Sequence, residues 1–292
     1  MHTIDLAYIE LGIHEQLVAY VADQEDYYER EGVHVAVRDG RAWGPDRMRR
    51  SATIGLGRAL VTRLTSGIPW TVLCVNTHRP MFWLLARDNY GSVEDLKGRR
   101  IAFHPRQSAP GCFSRIVLRK YGLDPDHDVE PVAMTPGDYS HHLRRVAEGA
   151  LDAAFVGSSL VPEITARKRG LRVLTFVGDH FRFPTVGVAV DPTHLAPDDP
   201  AVLALVRANR RALRTIRDEP DLAARYINDL IPGLTEIQAR QHYERYVASH
   251  FTIDGRHDPS IAVHAVPAVA KELGVSTVPD IVDIYRTEPP AA

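Results

Sequence analysis

Segments with the apolar spacing of a strand alternate along the chain with segments that have the apolar spacing of a helix. These spacings predict the order of the helices and strands. Short apolar runs at 3–9, 33–37 and 70–75 are typical of strands. Segments 11–31 and 58–65 carry apolar residues three and four positions apart, which is typical of helices. Because helices and strands alternate at short intervals, the pattern predicts βαβ units and an α/β fold with mostly parallel sheets.

After residue 200 the pattern indicates helices alone. Thr235 is followed three residues later by Gln238, which is the pattern of a capping box at a helix start. Asp258 followed by Pro259 combines a capping side chain with a proline suited to the first helical position. The chain is therefore expected to be helical from about residue 200 onward.

The most informative stretch covers residues 92–125. It reads as a strand at 99–103, a loop at 104–111 and a helix at 112–121 that Gly122 ends. A helix that opens at the carboxyl edge of a strand presents free N–H groups and a positive dipole end to the space beyond. This loop is predicted to face a ligand, and an ordinary turn between a strand and a helix is the alternative.

Arg106 in this loop is the leading ligand-binding candidate. Its guanidinium suits two-pronged capture of a carboxylate, sulfonate or phosphate. Ser108 and the backbone N–H groups near Gly111 would complete a nest for the anion. The alternative is an arginine that is only solvated at the surface.

Composition narrows the possible partners. A formal charge of −2 over 292 residues has no polyelectrolyte character, so a nucleic-acid partner is not expected. No apolar run approaches the ~20 residues of a membrane span. Cys74 and Cys112 form neither a disulfide framework nor a metal motif, and no cofactor is expected. The start at Met1 lacks the features of a signal peptide, which predicts a cytoplasmic protein, or an exported one if a leader has been removed.

Several segments, taken in order, resemble the type II periplasmic binding proteins of the sulfonate, taurine and thiamine-precursor group. The most specific are EDLKGRRIAF at 94–103, YGLDP at 121–125 and EGALDAAFVG at 148–157. The resemblance covers most of the chain. It implies two doubly wound lobes joined by a hinge with two crossovers, lobe 1 comprising 1–86 with 187–292 and lobe 2 comprising 87–186. The ligand would lie between the lobes.

The resemblance leaves the activity open, because the fold is shared by transport receptors and by cytosolic enzymes. The cysteine-rich motif of the thiamine-pyrimidine synthase is missing from this sequence. Other cytosolic relatives include decarboxylases, desulfinases and dehydratases. The absence of a recognisable leader favours this enzymatic class over the transport receptors.

The candidate site residues follow from the loops that come after strands, since these loops face the ligand crevice in an open α/β sheet. Histidine titrates near neutral pH, so four histidines in such loops are candidates for proton transfer. These are His14, His78, His104 and His180. The candidates for ligand binding are Glu10, Arg41, Trp43, Gly57, Arg79, Arg106, Ser108, Ser158, Ser159 and Arg182.

Two functions are consistent with these residues. The favoured one is a lyase that decarboxylates or dehydrates a small, cyclic or aromatic carboxylate, with Arg106 orienting the carboxylate and a histidine moving the proton. The alternative is the substrate-binding protein of an ABC transporter for a small organic anion, without catalysis. A non-catalytic sensor forms a third class, for which the sequence offers no specific feature.

Overall fold

The computed structural model describes residues 2–9, 12–55, 57–134 and 139–288, except for the side chain of Val186. Ten strands within these ranges form two five-stranded sheets. The strands are β1 (His2–Tyr8), β2 (Val33–Asp39), β3 (Ala52–Gly55), β4 (Thr71–Thr77), β5 (Phe82–Arg87), β6 (Arg100–Phe103), β7 (Glu130–Ala133), β8 (Ala153–Gly157), β9 (Leu171–Phe176) and β10 (Thr185–Val190).

Helices cover the faces of both sheets and dominate the last third of the chain. A 3-10 turn at Glu94–Leu96 and a π-helical turn at Tyr243–Val247 accompany them. The helices are α1 (Ile13–Gln24), α2 (Tyr27–Arg30), α3 (Pro45–Arg49), α4 (Arg58–Ser66), α5 (Ala109–Lys120), α6 (Tyr139–Ala147), α7 (Pro162–Arg169), α8 (Val177–His180), α9 (Pro200–Asp218), α10 (Pro220–Leu230), α11 (Glu236–His242), α12 (Pro259–Leu273) and α13 (Ile281–Ile284).

The two sheets have related strand orders. The first sheet runs β2-β1-β3-β10-β4, with β1 parallel to β2 and β3, and β10 antiparallel to both of its neighbours. The second runs β7-β6-β8-β5-β9, with β6 parallel to β7 and β8, and β5 antiparallel to β8 and β9. Each sheet is the core of one lobe. The predicted α/β fold with two doubly wound lobes is confirmed.

Local signals in the sequence placed some helix starts correctly and others late. The capping box is present: the Gln238 N–H donates to Thr235 Oγ1, and the Thr235 N–H donates to Gln238 Oε1. The helix predicted to begin at residue 112 begins three residues earlier, at Ala109. Ser108 caps it by accepting the Gly111 N–H at 3.2 Å, and Pro110 is tolerated within the first turn. The predicted ligand loop is therefore shorter than expected.

The chain crosses between the sheets twice. Strand pairing places β5 in the second sheet, so the first crossing lies at 78–81, whereas the sequence analysis put residues up to 86 in the first lobe. The return crossing lies at 181–184, just before β10. The two crossing segments touch, because the Phe183 N–H donates to the His78 carbonyl at 2.9 Å. The division into 1–86 with 187–292 and 87–186 remains a prediction.

The C-terminal helices contact both lobes. Helix α12 packs against α4 of the first lobe and α5 of the second. The ring of Tyr246 meets that of Trp83, on β5, edge-on at 5.0 Å. Among the described residues, no helix combines the length and the apolar character that crossing a bilayer requires. The lobes are thus held together by more than the two crossing segments.

Candidate functional site

A cleft of about 620 Å³ lies between the two lobes, within the usual size range of small-molecule sites. Both lobes contribute to its walls, and the residues come from loops after strands, from the first turns of helices and from the whole length of α4. The first lobe supplies Ile9, Gly12, Glu15, Arg41, Gly55, Arg58, Val61, Thr62, Thr65 and Ser66, and the second supplies Gln107, Ser108, Ala109, Pro110, Tyr139, Ser158 and Ser159.

Arg58 is a cleft-lining cation with no hydrogen-bonded partner among the described residues. It is the first residue of α4 and lines the cleft. In the described part of the chain, no hydrogen bond or ion pair reaches its guanidinium. Desolvation lowers the pKa of Arg58, and attraction from Glu15 partly offsets that shift. Because the arginine guanidinium is a very strong base, the group stays charged at neutral pH.

The residue before Arg58 is Gly57, whose φ of +142° lies in a region that side chains rarely adopt. A Cβ at this position would lie 3.0 Å from the rings of Phe113 and Phe183 and 3.2 Å from Ala109. The glycine therefore lets α4 of the first lobe approach α5 of the second. Gly57 was predicted to contact the ligand. In the structure it is not a lining residue of the cleft but directly precedes one, Arg58.

The opposite wall includes the first turn of α5. Ser108 lines the cleft, and its hydroxyl also donates to the Pro105 carbonyl at 2.7 Å. Gln107, Ala109 and Pro110 line the cleft beside it. The amino end of a twelve-residue helix carries a partial positive charge. The sequence-based expectation that this helix start faces the inter-lobe space is met by these four residues.

A buried contact joins the lobes at the cleft. His14, at the start of α1, has its Nδ1 2.5 Å from Ser158 Oγ of the second lobe, and the Ile13 N–H donates to the Ser158 carbonyl at 3.2 Å. His14 is only 2% exposed, and its burial lowers its pKa to about 3. The imidazole is therefore neutral at physiological pH. Its role here is to bridge the lobes.

A second histidine lies behind the wall. His104 Nε2 is 3.2 Å from the hydroxyl of Tyr139, and Tyr139 itself lines the cleft. Desolvation, and to a lesser extent His142, lowers the pKa of His104 to about 4. The edge of its ring meets Phe82 at 5.3 Å. His104 thus supports a lining residue from within the core.

Arg106, the leading candidate from the sequence, does not line the cleft. Its guanidinium lies 3.3 Å from Asp126 and 3.5 Å from Glu272 of α12, and the side chain is 50% exposed. Arg119 also binds Glu272, at 3.2 Å. The structure therefore places Arg106 in an ion-pair network beside α5, with its charge already matched by two carboxylates.

His78 and Arg79 belong to the first crossing segment. His78 Nε2 accepts the Asp258 N–H at 2.9 Å, so this ring ties the crossing to the start of α12. Desolvation lowers the pKa of His78, with Asp258 as the main opposing influence. Arg79 pairs with Asp179 at 2.6 Å. Neither residue lines the cleft.

The remaining candidates lie in different places. His180 Nε2 is 2.7 Å from the Tyr121 hydroxyl, in a surface groove of the second lobe. The guanidinium of Arg47 covers the Trp43 ring at 3.9 Å. Arg182 is exposed and is not among the lining residues. Glu10 lies outside the described residues.

The candidates that the structure brings together along the cleft are Arg41, Ser108, Ser158 and Ser159, with His14 directly behind them.

The sequence analysis left Glu15 out of its candidates. This carboxylate is 1% exposed and lines the cleft, with Oε1 3.7 Å from His14 Nε2. A signal was present in the sequence: Glu15 is a charged residue in the first turn of a helix that follows a strand. Its neighbours Ile13 and Leu17 are apolar and buried, as on a helix face turned to the core.

The NMT1/THI5 like family model matches residues 15–223, more than half of the chain. The chain belongs to this family. The resemblance predicted from the sequence is confirmed.

Solved structures with the same fold cover nearly the whole chain. The periplasmic aliphatic sulphonate binding protein SsuA from Escherichia coli matches with a TM-score of 0.75 and 14% identity, covering 100% of this chain and 94% of that one. The alkanesulfonate-binding protein SsuA from Xanthomonas axonopodis pv. citri, bound to MOPS, matches with 0.73 and 13%, covering 97% and 98%. A mutant of the desulfurization enzyme DszB in complex with biphenyl-2-sulfinic acid matches with 0.70 and 16%, covering 98% and 97%.

The favoured interpretation of the sequence, a lyase acting on a small carboxylate, is wrong. The matched structures include the two sulfonate-binding proteins and a ligand-binding component of an ABC-type import system from Staphylococcus aureus. These findings favour the alternative, a substrate-binding protein. The histidine geometry agrees, since His14 and His104 are buried and His180 lies outside the cleft. The cytoplasmic location inferred with the lyase remains a prediction.

Proposed function

We propose that this protein binds a small organic anion reversibly between its two lobes and releases it unchanged. The observation that carries the proposal is Arg58, which lines the cleft and whose guanidinium has no hydrogen bond or ion pair to any described residue. A partly desolvated cation gains about 1.5–3 kcal/mol from a charge-assisted hydrogen bond to an anion. An anionic ligand would supply the hydrogen-bonded partner that the Arg58 guanidinium lacks among the described residues.

The second lobe offers complementary features. The first turn of α5 lines the cleft at Ser108, Ala109 and Pro110 and brings the positive end of the helix dipole to its wall. Ser159 adds a hydroxyl from the loop after β8. An anion that touches Arg58 and this wall would contact both lobes at once, and it would therefore favour the closed arrangement over an open one.

The ligands of structural neighbours support a particular anion class. Two neighbours are described as sulfonate-binding proteins, one of them bound to MOPS, and a third was solved with biphenyl-2-sulfinic acid. Ile9, Val61 and Ala109 give this cleft apolar patches that would cover an organic body. We therefore assign the ligand to the organic sulfonates or their close analogues. In this role the protein would present its ligand to a membrane transporter.

The test is a titration of the purified protein with alkyl- and arylsulfonates, matched carboxylates and uncharged sulfonamides. Calorimetry should show saturable binding of sulfonates and at least tenfold weaker binding of the sulfonamides, because only the anion matches Arg58. Mass spectrometry should recover the bound sulfonate unchanged after long incubation. Equal affinity for the uncharged analogues, or appearance of a product, contradicts the proposal.

A matched pair of variants sharpens the test. Arg58→Gln removes the cation of the cleft. Arg38→Gln removes an exposed arginine whose ion-pair partner is Asp5 at 3.5 Å and which is not among the cleft-lining residues. Only the first substitution should weaken sulfonate binding. Equal effects of the two would indicate a general charge effect and remove Arg58 from the site.

A further inference from the structure

We infer that His78 is a positioning residue for the cleft, and that its protonation frees the first crossing between the lobes and weakens ligand binding. The binding part of this inference rests on the proposed function, whereas the part on the crossing concerns the protein without ligand. Two observations carry it. One is a hydrogen bond that only a neutral ring can make, and the other is the place of that bond in the fold.

The hydrogen bond of the His78 ring fixes its protonation state. Its Nε2 lies 2.9 Å from the backbone nitrogen of Asp258. A backbone N–H can only donate, so Nε2 must hold a lone pair. A protonated imidazole carries hydrogens on both ring nitrogens and would direct an N–H at the N–H of Asp258. The bond therefore exists only while His78 is neutral.

This bond lies where the chain leaves the first lobe. Strand β4 ends at Thr77, and His78 is the first residue of the crossing segment. The carbonyl of His78 accepts the Phe183 N–H at 2.9 Å, which joins the first crossing to the return crossing. Through its ring, the same residue holds Asp258, the residue that precedes α12. His78 thus connects both crossing segments to the amino end of α12.

Helix α12 links this bond to the walls of the cleft. The Asp258 carboxylate caps the helix by accepting the Ser260 N–H at 2.8 Å. The helix packs against α4 and α5. Helix α4 begins with Arg58 and α5 begins with Ala109, and both residues line the cleft. A shift at the amino end of α12 would therefore change the spacing between the helices of opposite walls.

The groups around His78 determine when it gains its proton. Desolvation is the main cause that lowers its pKa, and His257 from the loop before α12 and Arg182 from the return crossing act in the same direction. Asp258 and Asp254, from that loop, favour the charged ring. The pKa of His78 thus lies below its ordinary value of about 6.5, so the ring is neutral at neutral pH. Because the freed ring binds a proton more readily, the bonded arrangement is favoured at neutral pH and is lost on acidification.

The test is the pH dependence of affinity for butanesulfonate and benzenesulfonate, which stay ionised over the range used. Wild-type affinity should fall about tenfold between about pH 7.5 and pH 5, because one hydrogen bond is lost. His78→Gln offers an acceptor oxygen that does not titrate, so it should bind like the wild type at the higher pH and show no such fall. His78→Leu offers no acceptor and should bind about tenfold more weakly at both pH values. His257→Gln, which removes the neighbouring histidine, should keep the wild-type profile.

Two measurements on the ligand-free protein test the crossing separately. In NMR spectra, the Asp258 amide proton and the His78 ring nitrogens should shift in one common titration. Small-angle scattering should show expansion of the wild type over that titration and none in His78→Gln.

The outcomes separate this inference from the proposed function. If the sulfonates bind but His78→Gln keeps the pH dependence, or His78→Leu binds like the wild type at the higher pH, anion binding stands and the inference is overturned. If neither sulfonate binds, the proposed function fails for sulfonates. In that case a common titration with expansion still supports the role of His78 at the crossing, and an Asp258 amide that does not follow His78 overturns it.

Discussion

The contact between Gly12 and Ser158 makes a specific prediction about lobe closure. A Cβ added at Gly12 would lie 2.7 Å from Ser158 Oγ and 2.8 Å from His14 Cε1. Both neighbours are buried and bonded to each other, so neither can move alone without losing that bond. The added methyl group in Gly12→Ala is therefore expected to push the two lobes apart at this contact.

The expected loss of ligand affinity can be estimated from the contacts that a Cβ at residue 12 would disturb. If Ser158 rotates, the protein loses one hydrogen bond and leaves a buried imidazole nitrogen unpaired, which costs about 1–3 kcal/mol. If nothing rotates, overpacking costs a similar 1–3 kcal/mol. We expect the closed arrangement to lose about 2 kcal/mol, which corresponds to a roughly 30-fold fall in affinity for a ligand that needs both lobes.

Gly44 provides a matched control. Gly12 precedes α1 and Gly44 precedes α3, both in extended conformations without a capping side chain, so the local cost of alanine should be alike. A Cβ at Gly44 would meet nothing within 4 Å. Small-angle scattering should show expansion of Gly12→Ala alone, and calorimetry should show its weaker ligand binding. If both alanine variants match the wild type in shape and affinity, the lobes are not held at this point.

Three further predictions concern charge, pH and packing. Arg58→Gln should lower anion affinity about tenfold or more in calorimetry, whereas Arg106→Gln should leave it within about twofold, because Arg106 is already paired with carboxylates. The free energy of unfolding in urea should fall as the pH drops from about 6.5 towards 4. Folding lowers the pKa values of His14 and His104, so the unfolded chain binds more protons than the folded protein in that window. A free energy of unfolding that does not change with pH would contradict this. Trp83→Ala should lower the free energy of unfolding by about 3–5 kcal/mol, since the side chain is fully buried between two aromatic rings, and a loss below about 1 kcal/mol would contradict that account.

The fold was accessible from the sequence because its signals are local. Alternating strands and helices, the stop at Gly122 and the capping box at Thr235 each depend on residues a few positions apart. Strand pairing is not local, and sequence periodicity does not assign a strand to one of the two sheets. Periodicity identifies residues 82–86 as a strand, but only its hydrogen bonds with β8 and β9 show that it belongs to the second sheet.

The candidate site was partly accessible for the same reason. The rule that loops after strands face the crevice selected Ser108, Ser158 and Ser159, and these three residues line the cleft. It did not distinguish histidines that reach the cleft from those that turn away. His78 points to the backbone of residue 258, 180 positions later in the chain, and no spacing in the sequence reveals such a contact.

Arg58 and Arg106 show what decides which cation is left for a ligand. Both lie near the start of a helix that follows a strand, and the sequence analysis preferred Arg106. The difference comes from α12, which packs along α5 and brings Glu272 to Arg106. Glu272 is only 6% exposed in its side chain, and a buried carboxylate needs a cation for its own stability. The cation that remains for a ligand is therefore set by where distant acidic residues are buried, and in this protein that leaves Arg58.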